Sequence, residues 1–161
     1  MGWTIIQPSA YMQNLVQSAA PISRGLYPQT TGEGAIAWTD AQDVARVAAA
    51  VLLDGTHAGR TPCITGPRLL TSRQVAATFA DVLGRPVRYV PLPSRLFAAT
   101  VRLGGAGAWT AEGLRQQFAR IVRHGLDNVD ACTDEIPRIT GRPATALATW
   151  IEANRHRFDR R

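Results

Sequence analysis

Near the amino end, Pro8, Ser9, Tyr11 and Asn14 bring a hydroxyl, a phenol and a carboxamide into one short stretch. They follow Trp3-Thr-Ile-Ile-Gln7, a β-branched apolar run stopped by proline, which predicts a buried strand ending in a loop. Ligands of open α/β sheets sit outside the carboxyl ends of such strands. The chemistry on offer is therefore orientation of a bound molecule by hydrogen bonds. A plainer reading makes Ser9 the cap of a helix over Ala10 to Ala20 and Tyr11 a packing aromatic.

Other chemistries find little support. His57, His124 and His156 lie far apart without metal-ligand spacing, so no metal site is expected. Gly104-Gly-Ala-Gly107 resembles a phosphate-binding loop only superficially, because it follows a helical stretch instead of a strand. Asp127 and Asp130 sit near the distance of an acidic ribose partner, yet no strand-like run leads into them. The chain contains no lysine, which excludes within it a Walker A lysine, a Schiff base and a Tyr-x-x-x-Lys pair. No Gly-x-Ser-x-Gly elbow is present, and no residue stands out as catalytic. Cys63 and Cys132 form neither a metal-type nor a redox-type pair and are expected as reduced thiols.

The bulk properties agree with one compact folded domain, or most of one. At 161 residues, with 45% hydrophobic and 19% charged content, the chain can bury a core. The net charge of +6 comes from arginines scattered from Arg24 to Arg161, dense only in the terminal Arg155-His-Arg-Phe-Asp-Arg-Arg161. That distribution favours a solvated helix end over a nucleic-acid surface. No apolar run approaches the roughly 18 residues of a membrane span and no signal-peptide pattern opens the chain, so a cytoplasmic, membrane-free protein is expected.

These residues need elements to hold them. Pro21 to Gly34 reads as an aperiodic surface loop and Ala35-Ile-Ala-Trp-Thr39 as a second extended run. Asp40 opens an apolar, alanine-rich stretch to Leu53 that predicts a nearly buried helix, with Asp40 and Asp43 as caps at its positive end. Thr61 to Thr65 is a third strand, closed by Gly66-Pro67. Thr71-Ser-Arg-Gln74 is a capping box opening a helix that runs to Leu83 and stops at Gly84. Val87 to Pro91 alternates as a strand; Ser94 to Leu103 and Ala111 to His124 are helical, with Gly125 as a stop. Asp134 to Thr140 makes a short helix, and Ala144 to Phe158 a last one with Leu147, Trp150, Ile151 and Asn154 on one face. The alternation predicts an α/β architecture that becomes mainly helical toward the end.

Four segments together resemble the NmrA-like proteins, atypical short-chain dehydrogenase/reductase relatives. They are Trp3-Thr-Ile-Ile-Gln-Pro-Ser-Ala-Tyr-Met-Gln-Asn14, the Trp38 to Ala50 run with Thr-Asp-Ala-Gln-Asp-Val-Ala, Thr61 to Leu83, and Ile139-Thr-Gly-Arg-Pro143 with its Trp150-containing helix. The resemblance implies the C-terminal half of a Rossmann-like, doubly wound NAD(P)-binding fold. Residues 1–66 would supply its last strands and helices, and residues 67–161 a mainly helical substrate-side lobe. The glycine-rich N-terminal half is expected to be absent, making the chain a fragment that self-associates or meets a complementing half. On this resemblance Pro8, Ser9, Tyr11 and Asn14 lie beside the nicotinamide of NAD(P), and the helices from Ser94 to His124 wall the pocket of a small quinone- or carbonyl-type acceptor. The family's other implied roles are a dinucleotide-sensing regulator without turnover and, for a truncated chain, no activity of its own. The sequence departs from the family pattern at Gln7, Ser9 and Gln13, where arginine, glycine and an acidic residue are usual. A neutral Gln7 cannot make an arginine's charge-assisted contacts.

Overall fold

The computed structural model of the chain describes residues 2–103, 105, 107–124 and 132–159, with the backbone alone at 100, 101 and 117–124. Asp127, Asp130, Gly125 and part of the Gly104–Gly107 cluster lie outside the described residues, and for His124 only the backbone is described.

The opening strand is shorter and more exposed than its composition predicts. Only Gln7–Pro8 forms a regular strand, β1, paired in parallel with β4, Cys63–Ile64. Backbone bonds extend the ladder in both directions, from Ile5 N to Arg60 O (3.0 Å) and from Ser9 N to Ile64 O (2.9 Å). Along it, Trp3, Ile5 and Gln7 are exposed while Thr4, Ile6 and Pro8 are half-buried. Both faces of the run are apolar, but only the Ile6 face meets a core.

After β1 the chain does not form one α-helix over Ala10 to Ala20. It makes a 3-10 helix, Met12–Ser18, and then α1, Ala19–Ser23, which carries helical structure past Pro21. Ser9 caps neither, since its hydroxyl is bonded elsewhere. The expected loop from Pro21 to Gly34 contains a real strand, β2 (Leu26–Gln29), parallel to β6 (Arg88–Pro91). A short strand with a proline inside it gives little signal when its partner lies some sixty residues away.

β3 (Ala35–Ile36) pairs antiparallel with β5 (Leu70–Thr71), so the strands form three separate two-stranded sheets. α2 (Ala41–Leu53) starts as expected at Asp40, whose carboxylate accepts from Gln42 N at 3.1 Å. It is not nearly buried: Val44, Val47 and Val51 meet Ile64 and Ile136, whereas Leu52 and Leu53 are 85% and 89% exposed. The helix has a core against one side only, so its apolar density exceeds what can be covered.

α3 (Ser72–Leu83) begins with the expected capping box, with both Thr71 and Gln74 bonds made, and ends at Gly84 in the left-handed conformation. α4 (Ser94–Leu103) and α5 (Ala108–His124) pack on each other. α6 (Glu135–Thr140) leans on α2. The last helix is shorter than predicted: α7 (Leu147–Ala153) gives way to a 3-10 turn at Arg155–Arg157, because Asn154 leaves the helical region.

The larger core joins Met12, Leu15, Ile22, Tyr27 and Trp38 to Val75, Phe79, Trp150, Ile151 and Phe158. Phe79 and Phe158 meet edge to face with ring centroids 4.9 Å apart, which fastens the chain's end onto α3. This core holds the 3-10 helix behind β1 in place, and thereby the residues that precede it.

Candidate functional site

The segment 8–14 is tied to the segment 37–41 by bonds that leave it little freedom. Thr39 N donates to Ala10 O and Met12 N to Thr39 O, each at 2.9 Å, with Tyr11 and Thr39 forming a parallel bridge. The Ser9 hydroxyl donates to Ala37 O and contacts Thr39 Oγ1 at 2.8 Å. Thr39, fully buried, also reaches Ile64 O at 3.3 Å. Ser9 is thus neither a helix cap nor a free hydroxyl; it stitches two chain segments together where β1 and β4 end.

Gln13 explains itself in the same network. Its Nε2 donates to Asp40 Oδ1 (2.7 Å) and its Oε1 accepts from Ala41 N (3.1 Å). A carboxylate at position 13 could not donate to Asp40 and would repel it. Gln13 and Thr39 are the positioning residues that reading along the chain missed. The available signal was the departure at Gln13 itself, which marks a changed partner.

Of the four predicted residues, Pro8 is half-buried in register with Ile64, Tyr11 is half-buried and Asn14 is exposed on the 3-10 helix. Neither the Tyr11 phenol nor the Asn14 carboxamide has a hydrogen-bond partner among the described residues, so both remain available to a ligand. No cationic side chain stands in 7–14. The stretch therefore offers neutral hydrogen-bonding groups and no cation, which suits an amide-bearing ligand better than a phosphate.

Asp43 has a structural task beyond capping. It is fully buried, its Oδ2 accepts from Thr145 N at 2.7 Å, and Oδ1 pairs with Arg46. The Thr-Gly-Arg-Pro segment is thereby anchored to α2. His57 is half-buried with Nδ1 unpartnered, His156 is exposed, and no cluster of metal-ligating side chains exists among the described residues. Cys63 and Cys132 are free thiols; burial pushes the Cys63 thiol up. Among the described residues, no helix is long and apolar enough to cross a membrane.

No family model matches the chain. Known proteins do. An NAD(P)H azoreductase from Xenophilus azovorans is 33% identical over 159 residues, which are 98% of this chain and 54% of that protein. Quinone oxidoreductase 2 of Escherichia coli is 28% identical over 150 residues, 92% of this chain and 51% of that protein. The crystal structure of the E. coli NADPH-dependent quinone oxidoreductase complexed with NADPH superposes with a TM-score of 0.82 at 25% identity, covering 96% of this chain and 54% of that one. NmrA, a negative transcriptional regulator solved with NAD, shares the fold at a TM-score of 0.63 and 15% identity.

The chain is similar in sequence to these NAD(P)-linked reductases, and its fold is one they share with NmrA. The chain spans about half the length of the relatives it matches. Its α/β architecture with few short strands matches the corresponding half of Rossmann-like NAD(P)-binding reductases.

Proposed function

We propose that this chain is the substrate-side portion of an NAD(P)-dependent oxidoreductase that reduces a small quinone- or carbonyl-type acceptor. Residues 67–161 form its mainly helical substrate-side lobe, with α4 and α5 walling the acceptor pocket. Pro8, Ser9, Tyr11 and Asn14 serve the nicotinamide end of the cofactor. The observation that carries this reading is the unpartnered Tyr11 phenol and Asn14 carboxamide, held on a segment locked to Thr39 where two parallel strands end. The relatives' activities support the reaction class, and the cofactor supplies the hydride.

In this mechanism the chain's residues orient instead of reacting. Asn14 would hold the carboxamide of the ring and Tyr11 would border it, while the Ser9–Thr39 contact keeps the segment in place. The dinucleotide phosphates are met by groups outside positions 7–14, in the portion of the family fold that this chain does not span. The protein works in the cytoplasm on a small-molecule substrate.

A second reading, a dinucleotide-binding regulator without turnover, is favoured by one observation: Tyr11 is the only titratable side chain between positions 8 and 14. Titration of NADPH fluorescence, followed by quinone-dependent NADPH oxidation, tests both. Asn14→Ala is expected to weaken NADPH binding by about tenfold, the equivalent of one ligand hydrogen bond. Unchanged affinity in that variant removes Asn14 from the site, and binding without oxidation of any quinone selects the regulator.

A further inference from the structure

A groove of about 730 Å³ lies between the helical segment 16–24 and the chain's last turn; it begins on the 3-10 helix that carries Asn14, but none of the residues assigned above to the nicotinamide lines it. Val16, Ala19 and Ala20 give it an apolar floor, and Arg24, Arg157 and Asp159 form its charged rim. Its size falls in the range of small-molecule sites. Neither the Arg24 nor the Arg157 guanidinium has an ion pair or hydrogen-bonded acceptor among the described residues, whereas Arg46, Arg60, Arg115 and Arg155 each pair with a carboxylate.

The walls are fixed to each other by a residue beneath them. Arg85 donates to Ile22 O at 2.9 Å from Nη1 and to Phe158 O at 2.7 Å from Nη2, so one guanidinium clamps α1 to the final turn. Phe158 is fully buried against Phe79 and Trp150, which prevents the turn from closing over the gap. The groove is thus preformed, and it is lined by two exposed arginines whose guanidinium groups have no acceptor among the described residues.

We infer that this groove binds a small amphiphilic monoanion, its apolar body on Val16, Ala19 and Ala20 and its carboxylate or sulfonate head between Arg24 and Arg157. Asp159 on the same rim selects against a second negative charge. The site is independent of the nicotinamide reading and stands whether or not the chain binds a dinucleotide.

The test uses 8-anilinonaphthalene-1-sulfonate as the anionic probe and N-phenyl-1-naphthylamine as its neutral counterpart, each titrated by fluorescence against the full chain. Arg24→Ala with Arg157→Ala is expected to raise the sulfonate Kd by at least about tenfold, the loss of a charge-assisted contact, and to leave the neutral probe's Kd unchanged. Asp159→Asn is expected to lower the sulfonate Kd and leave the neutral probe's Kd unchanged, whereas misfolding would tighten both probes through newly exposed apolar surface. An unchanged sulfonate Kd in the double variant, an equal loss for both probes, or weaker sulfonate binding in Asp159→Asn overturns the proposal.

Discussion

Two buried polar side chains have opposite energetic consequences because one is partnered and the other is not. Asp43 satisfies Thr145 N and Arg46, so Asp43→Ala leaves a backbone N–H without its acceptor and is expected to cost about 2 kcal/mol in urea unfolding. The Tyr27 hydroxyl is buried with no hydrogen-bond partner, and Tyr27→Phe is expected to be neutral or stabilising. Burial pushes the Tyr27 phenol from its ordinary 10.0 up to about 12. The raised value has a direct consequence for stability. Below pH 10 the phenol keeps its proton in both folded and unfolded chains and its contribution is complete. Between pH 10 and 12 only the unfolded chain releases the proton, and stability falls with rising pH by on the order of 3 kcal/mol. Unfolding curves at pH 9 and pH 11 should show this decline in the native chain and a smaller one in Tyr27→Phe.

Among the elements, those with local signals formed where those signals stand. α3 is bounded by Thr71, Gln74 and Gly84, residues that satisfy its own end groups, and α2 by the Asp40 cap. β1, β2 and β4 depend instead on backbone approach. Gly66 follows β4 so closely beneath Trp38 that a side-chain methyl there would overlap the Trp38 carbonyl. Gly66→Ala is therefore expected to destabilise by about 2 kcal/mol, read by thermal melting, because backbone cannot yield as a flexible side chain does. The same contact sits one strand from Ser9 and Thr39, so the variant should also loosen the proposed nicotinamide segment.

Across the whole molecule, apolar surface is left over. Trp3, Ile5, Leu52, Leu53 and Trp109 are exposed, Leu53 and Trp109 each at 89%. Exposed large apolar groups on this scale favour association over a freely dispersed monomer. Light scattering of the isolated chain at rising concentration is expected to report a mass above the monomer, and Trp3→Lys with Ile5→Lys to reduce it. A concentration-independent monomer mass in the native chain would remove self-association from the partners proposed here.

Read by itself, the amino-acid order determined the family resemblance, the α/β class, the capped helices and the chemical type of the residues after the first strand. These rest on caps, periodicity and motif spacing, which act within a few residues. Tertiary structure decided what those side chains are free to do. Ser9 turned from a cap into a stitch because Ala37 and Thr39 come back beside it; β2 existed because β6 lay next to it; Trp3, Ile5 and Leu52 stayed in solvent because no core formed on their side. The groove of Arg24 and Arg157 came from pairing the chain's opening helices with its last turn, a contact between residues more than a hundred positions apart. Local order specifies which conformations and bonds a segment favours, whereas burial and partnership depend on what the rest of the chain brings to it.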